Sequence, residues 1–116
     1  MQPLGIHHVN VTVGDLAEAR RFYIETLGFT ERDDRPDFGF DGAWLNVGNQ
    51  QVHLLVAGQR EHTSDHYAVI VSDLSATIAE LRVAGLTVSE LTKVNANEQA
   101  FLRDPWGNLI ELHQVG

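Results

Sequence analysis

Residues Asp65 to Leu74 read DHYAVIVSDL, and residues His7 to Leu16 read HHVNVTVGDL. Laid over one another at an offset of 58 (66 − 8), the two stretches match His8 with His66, Val11 with Val69, Val13 with Val71, Asp15 with Asp73 and Leu16 with Leu74. The same shift carries Val52, His53 and Leu54 onto Ile110, Glu111 and Leu112. The offset is half of the 116 residues, and a period of that length marks two copies of one supersecondary unit. Each copy opens on a strand bearing a His and closes on a strand bearing His or Glu.

Working outward, Gly5 to Val13 alternates as a half-buried strand does, with Val9, Val11 and Val13 on one face and His8, Asn10 and Thr12 on the other. Asp15 is an N-cap and Gly28 a C-terminal stop for a helix that lays Leu16, Ala19, Phe22, Tyr23 and Leu27 on the valines. Phe29 to Arg35 reads as a second, exposed strand. Asp33 to Gly42 reads as a loop whose Phe38 and Phe40 either tuck locally or cover a pocket. Ala43 to Val47 and Gln51 to Val56 form a hairpin around Gly48-Asn49-Gln50, with Gln51, His53 and Leu55 facing away from Val52, Leu54 and Val56. Ala57 to Ser64 connects the copies.

The second copy repeats the order. His66, Ala68 and Ile70 oppose Tyr67, Val69 and Val71. Asp73 caps a helix carrying Leu74, Ile78 and Leu81, and Gly85 ends it. Leu86 to Leu91 reads as a strand, Lys93 to Gln99 as a polar loop, and Ala100 to Arg103 as a strand running into the turn Asp104-Pro105-Trp106-Gly107-Asn108. On the last strand Leu109, Glu111 and His113 share a face. The expected fold class is α+β: two tandem βαβββ modules, about 5–57 and 65–116, forming one domain whose curved mixed sheets enclose a central cleft.

Composition bounds the chemistry. A chain of this length, 43% hydrophobic, is one ordinary globular domain. The absence of cysteine excludes disulfides, thiolate metal sites and a cysteine nucleophile. Eight Lys and Arg against sixteen Asp and Glu leave a formal net charge of −8, so nucleic acid and anionic lipid are not expected partners. No leader or apolar span is visible, and a cytoplasmic protein is expected.

His8, His53, His66 and Glu111 each lie on the strand face opposite the residues a helix would cover. All four take the same phase and occupy corresponding places in the repeat, so a pseudo-twofold axis would gather them. Three imidazoles and a carboxylate suit one divalent ion, whether Zn, Ni, Co, Mn or Fe(II). A lone strand His is more often a surface or hydrogen-bonded residue; the shared phase and the repeat favour a metal site. His7 points to the other face, His62 lies in the connection, and His113 flanks the site as an outer group. Signatures of nucleophilic, phosphate-binding or dinucleotide chemistry are absent.

With IHHVNVTVGDL, FYIETLGF at Phe22 to Phe29, GAWLNVG, DHYAVIVSDL and FLRDPWGNLIEL at Phe101 to Leu112, essentially the whole chain resembles the vicinal oxygen chelate superfamily. That group holds glyoxalase I, methylmalonyl-CoA epimerase, extradiol dioxygenases, and fosfomycin- and bleomycin-resistance proteins. The resemblance implies metal ligands at His8, His66 and Glu111. His53 stands where glyoxalase I has a ligating glutamate, so a histidine there departs from the familiar pattern. It also implies a small metal-dependent enzyme, a lyase or isomerase that chelates vicinal oxygens of a small-molecule substrate and stabilises an enediolate or oxyanion, with Glu111 shuttling a proton. The alternatives are an extradiol dioxygenase, a fosfomycin-type transferase and a metal-free binding protein. The transferase is disfavoured because Arg103 is the one basic residue placed near the final hairpin. Exposed sheet edges, and the pairing of modules in single-domain relatives, imply a homodimer.

Overall fold

The computed structural model describes residues 1–57 and 64–116; most of the expected connection, with His62, lies outside the described residues. The chain divides into two compact units, Met1–Gln59 and Arg60–Gly116, and each holds one open four-stranded mixed sheet.

In the first unit, β1 (His8–Val13) leads into α1 (Leu16–Arg20), β2 (Thr30–Glu31), β3 (Gly42–Val47) and β4 (Gln50–Val56). The sheet order is β1-β4-β3-β2, with β1 parallel to β4 and the other pairs antiparallel. Asp15 caps α1 by accepting from the Glu18 amide at 2.7 Å. The helix then widens into a π-helical turn over Arg21–Thr26, closed by the Leu27 amide on the Phe22 carbonyl at 2.9 Å. In that wider turn two consecutive rings, Phe22 and Tyr23, are both buried, and they join Val11, Val13, Leu45, Val52 and Leu54 in the core. The alternation of β1 holds as expected: His8 and Asn10 are exposed while Val11 and Val13 are buried. Strand two is shorter than Phe29 to Arg35, because Arg32 and Asp34 turn to one another at 2.7 Å and Pro36 follows with no amide to donate.

In the second unit, β5 (His66–Ile70), α2 (Leu74–Val83), β6 (Thr92–Val94), β7 (Asn97–Arg103) and β8 (Leu109–Gln114) give the order β5-β8-β7-β6 with the same parallel and antiparallel pattern. Asp73 caps α2 through the Ala76 amide, and Leu74, Ile78 and Leu81 are the stripe it buries. At the other end Gly85, at φ +92°, lets its own amide reach the Arg82 carbonyl and the Leu86 amide reach Leu81, a Schellman stop.

Two expectations for this unit fail. Leu86 to Leu91 is not a strand. Its Val88 is buried and the Ser89 amide does reach the Phe101 carbonyl, but the Phe101 amide returns to Ser89 Oγ at 2.8 Å and not to a main-chain carbonyl, so no ladder forms. The polar stretch Lys93 to Gln99 is not a loop: it is the tip of the β6–β7 hairpin, turned by Asn95 at φ +56°, a conformation asparagine tolerates. Among the described residues no helix is long and apolar enough to cross a membrane.

Candidate functional site

Strand pairing brings the expected residues together in twos, one pair on each sheet. In the first unit His53 lies opposite Asn10 of β1 on one side and Trp44 of β3 on the other. His8 precedes Asn10 by two positions and so shares its face. Its ring stacks on His53 with centroids 3.8 Å apart and planes within 15°, and Trp44 stacks against His53 at 4.4 Å and 11°. His53 is 7% exposed. Burial first, then electrostatic repulsion from His8, His7, Arg32 and Arg35, pulls its pKa down to about 4, so it is a neutral imidazole at physiological pH, the form that ligates a metal. His53 Nε2 meets the Gln51 side-chain oxygen at 2.8 Å, which fixes the ring when Nε2 carries the proton and leaves Nδ1 as the open nitrogen.

The second unit repeats this arrangement. Glu111 lies opposite Ala68 of β5 and Phe101 of β7, the places Asn10 and Trp44 hold around His53. His66, two positions before Ala68, points Nε2 at Glu111 Oε1 across 3.3 Å. Its Nδ1 is tied to the Ser64 carbonyl at 2.9 Å. A carbonyl only accepts, so Nδ1 holds a proton, and in the neutral ring Nε2 then has a lone pair directed at a carboxylate. Two acceptors facing one another call for a proton or a metal cation between them. The other carboxylate oxygen, Oε2, is held by His113 Nδ1 at 2.8 Å. Glu111 is 8% exposed. Within neither unit, among the described residues, do three His, Asp or Glu side chains form a shell that could hold a metal; each unit presents a pair.

Other groups were placed differently or missed. His7 does not face away: its Nδ1 lies 2.9 Å from His8 Nδ1 and it lines the same cavity. His113 lies on the face of Glu111 and bonds its carboxylate. Phe38 and Phe40 do more than tuck. They stack at 5.5 Å, Phe38 also leans on Trp44 at 6.1 Å, and with Arg35, Trp44, His8 and His53 they border a cavity of about 370 Å³ within the first unit. Arg35 was not singled out from the sequence; the one available signal was its setting in a loop holding two phenylalanines and ending on Gly42.

A family model described as Glyoxalase/Bleomycin resistance protein/Dioxygenase superfamily matches residues 5–112. A protein of Vibrio parahaemolyticus named as a probable lactoylglutathione lyase is 27% identical over 123 residues, covering 94% of this chain and 89% of its own. A crystal structure of a glyoxalase family protein from Bacillus anthracis superposes with a TM-score of 0.90 at 28% identity, covering 100% of this chain and 98% of the other. The fold is shared too with a fosfomycin resistance protein variant of Listeria monocytogenes complexed with Mn(II) and 1S,2S-dihydroxypropylphosphonic acid, at a TM-score of 0.83 and 15% identity over 99% and 95% of the two chains. Two βαβββ-like units, their shared register and the match along nearly the whole length agree: the chain belongs to the Glyoxalase/Bleomycin resistance protein/Dioxygenase superfamily.

Proposed function

We propose that the protein is a metal-dependent enzyme of lyase or isomerase type, acting on a small molecule with vicinal oxygens, and that its two units are modules of a single domain. His8, His53, His66 and Glu111 would hold one divalent cation. The observation that carries the reading is the His66–Glu111 pair: an imidazole nitrogen and a carboxylate oxygen 3.3 Å apart, the ring held from behind by Ser64 and the carboxylate by His113. Outer hydrogen bonds of this kind orient metal ligands. The donor set, imidazole and carboxylate with no thiolate, suits Zn, Ni, Co, Mn or Fe(II). When bound, such a cation polarises chelated oxygens as a Lewis acid. The Listeria protein variant, complexed with Mn(II) and 1S,2S-dihydroxypropylphosphonic acid, a vicinal diol, is consistent with that chemistry.

On this reading Glu111 has two tasks. One oxygen faces the metal position; the other, held by His113, relays a proton beside the substrate carbonyl. His53, kept neutral by burial, completes the ligand set without adding charge. We further propose that the working unit is a homodimer in the cytoplasm, since both sheets are open and paired modules cover such edges.

The test is cobalt titration of chelator-treated protein, followed by absorbance and by equilibrium dialysis. One cobalt per chain is expected, with at least a tenfold weaker affinity in Glu111→Gln. The reading fails if the intact protein takes up no divalent metal, or if Glu111→Gln binds it as tightly as the parent.

A further inference from the structure

The cavity of the first unit combines a flat aromatic wall with a cation, Arg35, that meets no carboxylate among the described residues. Arg20, Arg32 and Arg82 each meet a carboxylate, in Glu31, Asp34 and Glu90. Arg35 does not: among the described residues its guanidinium pairs with no carboxylate and donates to the Phe40 carbonyl at 3.0 Å. Arg21 and Lys93 also meet no carboxylate among the described residues, but neither borders this cavity, whereas Arg35 does.

The guanidinium is also firmly seated. It lies over the Phe38 and Phe40 rings, 5.1 Å and 5.4 Å from their centroids. It also occupies the space above Gly42, where a β-carbon would stand 2.9 Å from its Nη2. Its charge is felt at His53, where it is one of the causes of that imidazole's lowered pKa. The remaining donors of a planar fork match a carboxylate in two-point geometry.

Beside it, Trp44 lies parallel to His53, and Phe38 tilts across Trp44 at 47°. Phe38 and Phe40 are 48% and 50% exposed, so the rings are half uncovered. Faces of this kind take another ring by offset or edge contact. The volume, about 370 Å³, sits near the lower end of the range for small-molecule sites, which favours a compact ligand.

We propose that this cavity binds a compact aromatic carboxylate, with its ring against Trp44 and Phe38 and its carboxylate on Arg35. The inference names the substrate class of the reaction proposed above and rests on that reading for its chemistry; binding itself does not require the metal.

The test uses chelator-treated full-length protein and three probes: 2-naphthoate, cyclohexanecarboxylate and 2-naphthalenemethanol. Binding is read by titration calorimetry and by Trp44 fluorescence in a Trp106→Phe background. Naphthoate should bind at least about tenfold more tightly than either probe lacking the ring or the charge, as a lost charge-assisted hydrogen bond implies. Arg35→Gln should weaken naphthoate about tenfold and leave naphthalenemethanol unchanged, while Phe38→Leu should weaken both ring compounds. The proposal is overturned if naphthoate shows no binding near about 1 mM, if it binds no better than the other two, or if Arg35→Gln leaves its affinity intact. Cobalt uptake by the same samples separates the two readings: Glu111→Gln should lose the metal and keep naphthoate, and Arg35→Gln the reverse.

Discussion

Replacing Asp104 by alanine removes the acceptor on which the β7–β8 turn closes. Its carboxylate is 5% exposed and receives the Trp106 amide at 2.9 Å, the Asn108 amide at 2.8 Å and the Asn108 side-chain nitrogen at 2.7 Å. Hydrogen bonds to a charged group contribute about 1.5–3 kcal/mol each. Three of them do not add, because they share one acceptor and water can reach the half-buried Asn108 donors once the carboxylate is gone. The Trp106 amide is buried and stays unsatisfied. The expected loss is therefore about 3–5 kcal/mol, a large share of the roughly 5–15 kcal/mol that holds a domain together. Asp104→Asn retains one acceptor oxygen for the two backbone amides and loses the Asn108 side-chain bond, so about 1–2 kcal/mol should suffice. Urea unfolding followed by tryptophan fluorescence measures both, with the slope against denaturant as a control on the unfolded state. An alanine variant within about 1 kcal/mol of the parent at unchanged slope, or an asparagine variant as weak as alanine, would refute the reasoning.

Acid should act through His53. Its folded pKa, about 4, lies below the ordinary value of 6.5, so the unfolded chain takes up a proton that the native protein refuses. Stability of metal-free protein should fall as pH drops from about 6.5 towards 4, by at most roughly 3 kcal/mol, and this slope should be absent from His53→Gln in denaturation series across that range. Gly42→Ala would press its β-carbon on the Leu54 carbonyl and the Arg35 guanidinium; a loss of about 1–3 kcal/mol is expected in thermal melts, together with weaker naphthoate binding. His113→Ala frees Glu111 Oε2 and should lower cobalt affinity about tenfold, measured by dialysis. Mixing His8→Ala with Glu111→Gln chains tests assembly: a centre shared between subunits regains one intact site per mixed dimer, one within each chain regains none, and sedimentation of the cobalt-loaded protein as monomer alone would defeat the dimer.

The repeat and the strand phase made much of the frame legible. Side chains alternate strictly along a strand, so His8, His53, His66 and Glu111 could be assigned to faces from sequence, and the register sets His8 beside His53 and His66 beside Glu111. Residues acting through loops or through unexpected hydrogen bonds were not legible. Arg35 has no periodic neighbours, and its seat depends on Gly42 seven positions on and on the turn of the loop between. Val88 has the burial of a strand residue, but periodicity is silent on where amides bond, and the Ser89 hydroxyl takes the Phe101 amide. The π-helical turn keeps the apolar stripe of a helix while changing its pitch, so composition alone could not reveal it.

The Arg82 contact has a consequence for how this protein behaves at high concentration. The stretch before β6 runs beside β7, with the Ser89 amide already on the Phe101 carbonyl and the Phe101 amide on Ser89 Oγ. A strand from another molecule could extend the sheet there only by finding free carbonyls. The Val88 carbonyl is occupied by a guanidinium that also reaches Glu90 at 3.2 Å, so the border ends in fixed charge rather than in an open ladder. Arg82 thus stands as a gatekeeper against edge-to-edge aggregation along this side.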